Sequence, residues 1–147
     1  MEFSEIEIGA VYSFAKIVSR DDVLKFAGLS GDFNPLHVDP AFGERNIFKA
    51  NVVHGMLLGS FFSALVGMYC PGEKSLYLSQ TLNFKLPVFI GDSIIVKSTV
   101  MDKSESIKII VLKTEILKQD QVAVYGEARV KVLDESFNFF DMKTAIV

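Results

Sequence analysis

The chain has 147 residues, half of them hydrophobic and 22% charged, with fifteen Lys and Arg against eighteen Asp and Glu for a net charge of −3. That length suits one domain, since two would each struggle to bury a core, and the apolar content excludes a disordered chain. The charge offers no basic field to a nucleic-acid backbone. The single cysteine, Cys70, excludes an intrachain disulfide and a multi-cysteine metal cluster and fits a reducing compartment. The opening Met1–Gly9 is acidic where a signal peptide needs a basic start. A cytoplasmic protein is the expectation.

Residues Val11 to Val18 read as a first strand. Ser19 can then cap a helix with Asp22 at its third position, an approximate capping box, and Val23, Leu24, Phe26 and Ala27 supply an apolar stripe that Gly31 ends. From Asp32 to Asp39 the sequence is DFNPLHVD, where Pro35 opposes both helix and central strand and predicts a structured loop. Asp39 with Pro40 reads as the cap and first position of a short helical turn.

Met56 to Cys70 is apolar around the whole helical circumference. As a helix its fifteen residues span about 22 Å, too short for a hydrocarbon core of about 30 Å, so the segment is expected in the middle of the domain. Leu76, Leu78, Leu82 and Phe84 alternate with polar or amphipathic neighbours and predict one half-buried strand. Strand-like runs follow at Ser93 to Met101, Ile107 to Leu117 and Val122 to Leu133, separated by turn residues at Gly91–Asp92, Lys103–Ser106 and Gln119–Asp120. The order is one strand, helices, then a four-strand antiparallel meander, an α+β arrangement with a buried helix against a sheet. Phe137, Phe139 and Phe140 predict that the tail from Asp134 to Val147 docks.

Both histidines, His37 and His54, fall in one short window. Asp32 and His37 lie five residues apart on the proline-stiffened loop, and such a pair can hold a water between an anionic acceptor and a group that titrates near neutrality. The other reading is a turn in which Asp32 and Asn34 bond their own backbone and His37 has no chemical role. Gly55 opens the apolar helix, where free backbone N–H groups and a positive dipole end could polarise a carbonyl, or where glycine simply permits a tight entry. His54 reads as loop support, outside the catalytic set.

The run Ser30-Gly31-Asp32-Phe33-Asn34-Pro35-Leu36-His37, then Val53-His54-Gly55-Met56, then Leu82 to Asp92 closely resembles the signature of the MaoC-like, hydratase-2 family. Three separated motifs occur in the right order between Phe26 and Thr99. The resemblance implies a hot-dog fold, an antiparallel sheet wrapped around a long central helix, in a single domain 1–147 whose residues 134–147 form a C-terminal extension beyond the usual short members, and a homodimer. It puts the catalytic aspartate on Asp32, the catalytic histidine on His37 and the oxyanion-binding N–H on Gly55. Asn34 falls where the family orders its catalytic loop, and Ser63 on a serine near the active site. The implied activity is (R)-specific hydration of trans-2-enoyl thioesters, or the reverse dehydration, without metal or redox cofactor. Coenzyme A or an acyl carrier enters only as part of the substrate. Arg45, Lys49, Lys74 and Lys85 are candidates to meet its phosphates, and Phe61, Phe62 and Leu65 to line an acyl tunnel or simply the core. The competing functions are a hot-dog acyl-CoA thioesterase and a non-catalytic acyl-thioester binding module.

Overall fold

Ser19 and Asp22 exchange hydrogen bonds at the start of the first helix, with Asp22 N–H on Ser19 Oγ at 3.1 Å and Ser19 N–H on Asp22 Oδ2 at 2.8 Å. The capping box read from sequence is therefore present, and Gly31 closes the helix in the left-handed conformation, φ 81°. A computed structural model describes residues 1–133. Its elements are β1 (Val11–Ile17), α1 (Arg20–Ser30), α2 (Pro35–Val38), α3 (Pro40–Arg45), α4 (Gly55–Met68), β2 (Ser75–Gln80), β3 (Asn83–Phe84), β4 (Ser93–Ser104), β5 (Ile109–Lys118) and β6 (Gln121–Val132), after a 3-10 turn at Phe3–Glu5. The tail expected to dock, Asp134–Val147, lies outside the described residues.

All strand pairs are antiparallel, in the order β1-β4-β5-β6-β2, with β3 also on β6. Only β4, β5 and β6 form a meander; β2 lies beside β6, not beside β4. Alternation in sequence fixes which face of a strand is buried but not which strand is its neighbour. The hairpin from β5 to β6 turns on Gln119 and Asp120, both left-handed at φ 48° and 63°, the backbone that a two-residue turn of a right-twisted hairpin needs.

The expected strand from Leu76 to Phe84 is two strands. At the step between them Thr81 N–H bonds Glu127 O and Glu127 N–H bonds Thr81 Oγ1, both at 2.9 Å. The chains approach so closely here that a Cβ on Gly126 would lie 1.7 Å from Thr81 O.

Helix α4 packs one face on the sheet, burying Leu57, Leu58, Phe62, Leu65 and Val66. Its opposite face is exposed in the single chain, including Met56 at 60% and Met68 at 78% together with Ser60, Ser63 and Ala64. The expectation of a helix enclosed by its own domain is thus corrected: apolar sequence all round a helix does not say what covers each face. Beneath the N-terminal half of α4 the core contains Val18, Val23, Val53, Val88, Ile94 and Ile116; a second cluster gathers Phe3, Ile6, Val66, Cys70, Ile110 and Val130. Among the described residues no helix is long and apolar enough to cross a membrane.

Gly126→Ala forces its Cβ against backbone, which no rotamer can relieve. We expect it to destabilise the chain by at least about 1–3 kcal/mol, as overpacking does, read as a lowered thermal midpoint; an unchanged midpoint would contradict the close approach.

Candidate active site

The loop after Gly31 is built from short-range hydrogen bonds. Asp32 N–H bonds Ser30 Oγ at 3.2 Å, Asn34 N–H bonds Asp32 Oδ1 at 3.2 Å, and Asn34 Oδ1 caps α2 by accepting Leu36 N–H at 3.0 Å. Pro35 then occupies the first helical position, where its missing N–H costs nothing. The predicted structured loop therefore contains one helical turn, and that turn carries His37 out of the loop and over the segment that enters α4.

Val52 ties the two segments together in both directions. Its N–H bonds Leu36 O at 3.2 Å, and its carbonyl lies 2.6 Å from His37 Nδ1. A carbonyl only accepts, so His37 carries its hydrogen on Nδ1 and keeps the Nε2 lone pair for other work. Asn51 reinforces the junction, its Nδ2 donating to Leu36 O at 3.0 Å and Asp39 O at 2.9 Å. On the other side Val53 N–H bonds Val88 O at 2.8 Å.

His54 lies beneath His37, the two rings stacked 3.9 Å apart at 29°. It is buried, with Phe26 of α1 against its ring at 5.0 Å. An Asp32 carboxylate oxygen and one ring nitrogen from each histidine all lie within 4.8 Å of one another. A water bonded at about 2.8 Å to two groups, with a tetrahedral angle between them, sets those groups about 4.6 Å apart. A water bridging two of the three groups would fit within that span. These three side chains are also those that could hold a metal ion among the described residues; each histidine donates one ring N–H to a carbonyl and keeps one lone pair on its other nitrogen.

A cavity of about 460 Å³ opens beside this group, lined by His37, Gly55, Met56 and Leu58 on one side and Phe84, Lys85, Leu86 and Val88 on the other. The wall is mostly apolar, with the imidazole of His37 and the start of α4 as its polar features. The first helical hydrogen bond of α4 runs from Leu58 N–H to His54 O, so the N–H groups of Gly55, Met56 and Leu57 precede the ladder. Gly55 has a packing role too, because a Cβ there would meet the Phe84 ring at 2.9 Å.

Of the sequence candidates, His37 and Gly55 line the cavity, and Asp32, bonded by the Asn34 N–H, lies beside His37 without lining it. Ser63 is exposed on α4 and is not among the residues lining the cavity. Phe62 and Leu65 are fully buried core, and Phe61 lies beneath the Lys16 ammonium. Lys85 borders the cavity, whereas Lys74 pairs with Glu2 and the Arg45 Nε donates to Ala41 O at 3.1 Å. Cys70 is buried, and burial pushes its thiol pKa up, so it is no nucleophile at neutral pH. Sequence reading missed Asn51, whose position among the carbonyls of Pro35, Leu36 and Asp39 depends on contacts across the loop; it treated His54 as loop support without locating its partner.

Residues 4–122 match the MaoC like domain family. The chain belongs to that family. Among relatives of this MaoC-like chain is the (R)-specific enoyl-CoA hydratase of Aeromonas caviae, 45% identical over 133 residues, 90% of this chain and 99% of that one. Another is the (R)-specific enoyl-CoA hydratase of Rhodospirillum rubrum, 38% identical over 88% of this chain and 90% of its relative. The solved (R)-hydratase from A. caviae superposes with a TM-score of 0.85 over 88% of this chain and 98% of its own. An R-hydratase from Pseudomonas aeruginosa, 34% identical, reaches 0.87 over 90% and 86%. The MaoC-like chain thus has the hot-dog fold of these hydratases, an antiparallel sheet with α4 packed on it.

Proposed function

We propose that this MaoC-like protein adds water to trans-2-enoyl-CoA thioesters to give (R)-3-hydroxyacyl-CoA, and catalyses the reverse dehydration. The observation that carries the reading is the Asp32 carboxylate set beside the His37 imidazole, which lines an apolar cavity together with the start of α4. The relatives described above support the substrate and the stereochemistry.

Each step follows from the group types. Asp32 Oδ1 is occupied by Asn34 N–H, which leaves Oδ2 and His37 Nε2 as the two acceptors for one water. One of the pair takes a proton as the water oxygen attacks C3. The negative charge moves to the thioester oxygen, which the N–H of Gly55 at the positive end of α4 meets. A proton then passes from the pair to C2, so both groups end as they began and both additions occur on one face. No metal or redox group is needed for these transfers. The apolar wall formed by Met56, Leu58, Phe84 and Leu86 suits the acyl chain.

We further propose a homodimer acting in the cytoplasm. The exposed apolar face of α4, with Met56 and Met68, and the edge strand β2 with one side of its backbone ladder open support a second copy as the covering partner.

Crotonyl-CoA supplies the primary test. Loss of the conjugated enoyl absorbance without release of free thiol is expected, whereas thiol release would mean thioester hydrolysis and no change at all would mean a binding module. Asp32→Asn and His37→Gln should each lower kcat at least about a hundredfold, within the range that positioned acid–base groups contribute; near-parental turnover removes that residue from the pair.

Gly55 is tested by two substitutions that add the same Cβ. Both must displace the Phe84 ring, which is 53% exposed and can swing away. His54, at φ −54° and ψ 130°, already has the extended backbone that a following proline demands. Gly55→Pro, lacking the N–H, should fall about 10²–10³-fold in kcat relative to Gly55→Ala. Equal activities would assign Gly55 to packing alone. In size-exclusion light scattering at micromolar concentration the protein should have twice the chain mass; a monomer would contradict the dimer.

A further inference from the structure

His54 is an imidazole that the proposed mechanism does not use, yet it is more completely enclosed than either member of the water-binding pair. It is 2% exposed, held between the rings of Phe26 and His37. Its Nε2 lies 3.0 Å from the main-chain carbonyl of Asp32, 22 residues away in sequence. Because that carbonyl only accepts, the ring hydrogen resides on Nε2. Nδ1 is buried and has no partner among the described residues, so the other tautomer would bury an unsatisfied donor and leave the Asp32 carbonyl without this bond.

Among the described residues, every other hydrogen bond made by residues 31–34 stays within four positions in sequence. These bonds shape the loop without anchoring it to the domain. Among these residues the His54 bond is the one that reaches outside. His54 Nε2 is 3.9 Å from Asp32 Oδ2, too far for a hydrogen bond, so the imidazole grips the backbone of Asp32 and leaves the carboxylate to its water.

We propose that His54 is a positioning residue whose Nε2–H, through the main-chain carbonyl of Asp32, holds the aspartate at its working distance from His37. The inference rests on the hydratase reading for its kinetic consequence, but the hydrogen bond itself does not. Misplacing a reacting group by about 1 Å can cost on the order of a hundredfold in rate. Loss of the anchor should therefore lower kcat and leave binding of the thioester little changed.

Three substitutions separate the donor from the packing. In Gln the amide nitrogen reaches the Nε2 position, in Asn it reaches only the Nδ1 position, and Phe retains a flat ring with no donor. With crotonyl-CoA, His54→Phe and His54→Asn should lose about tenfold or more in kcat with KM within about twofold of the parent, while His54→Gln recovers to within a few-fold. Parental kcat in His54→Phe, or a His54→Gln as impaired as His54→Phe, would overturn the proposal. A second measurement needs no variant to fold: the long-range 1H–15N spectrum of the parent protein should show His54 as the Nε2–H tautomer and His37 as the Nδ1–H tautomer. An Nδ1–H signature for His54 contradicts the bond. A parent that shows the expected tautomers but leaves crotonyl-CoA untouched would sink the hydratase reading and keep the anchor.

Discussion

The site depends on the way Val52 is bonded from both sides. Its N–H and carbonyl are both spent on α2, through Leu36 O and His37 Nδ1, and the next residue, Val53, is bonded to Val88. Three segments distant in sequence are thereby held in contact at the entrance to α4. The same contact sets the tautomer of His37, so the carbonyl that fixes the ring in space also determines which nitrogen faces the reaction. A backbone carbonyl makes a stable partner for this purpose, since it cannot titrate.

Around that junction the two kinds of support differ. The carboxylate comes from a loop whose own bonds are local, and it depends on a buried imidazole for its place. The N–H of Gly55 comes from the end of a helix with one face buried against the sheet, so its direction is set by the core. A reacting thioester would therefore meet its charge-stabilising donor on a helix buried against the sheet and its water on a loop tied at Asp32 and His37. Preorganisation of this kind lets dipoles act without reorganising as charge develops.

Much of this is legible in the sequence because the signals are local. Ser19 with Asp22, Gly31, and Asp39 before Pro40 each specify a cap or a stop within four residues, and the structure has them all. Short caps shape the loop that carries Asp32 and His37, and the bonds of Val52 and His54 bring it to the start of α4. What stayed hidden is long-range. Alternation could not reveal that β2 lies against β6, nor that the run from Leu76 to Phe84 divides at Thr81, whose carbonyl crowds Gly126. The exposed face of α4 was concealed by its composition, since an apolar residue reads alike whichever surface covers it. Likewise Asn51 and His54 look like ordinary loop residues until the carbonyls they serve, twelve to 22 positions away, are in place.

The central claim is that Asp32 and His37 act together on a single water. The double-mutant cycle of Asp32→Asn and His37→Gln on crotonyl-CoA hydration measures that directly, with folding of each variant checked by circular dichroism. Groups that act as a unit are strongly non-additive, so the double variant should be scarcely slower than the worse of the two single ones. If the two losses multiply, the residues work independently and the shared-water account is wrong.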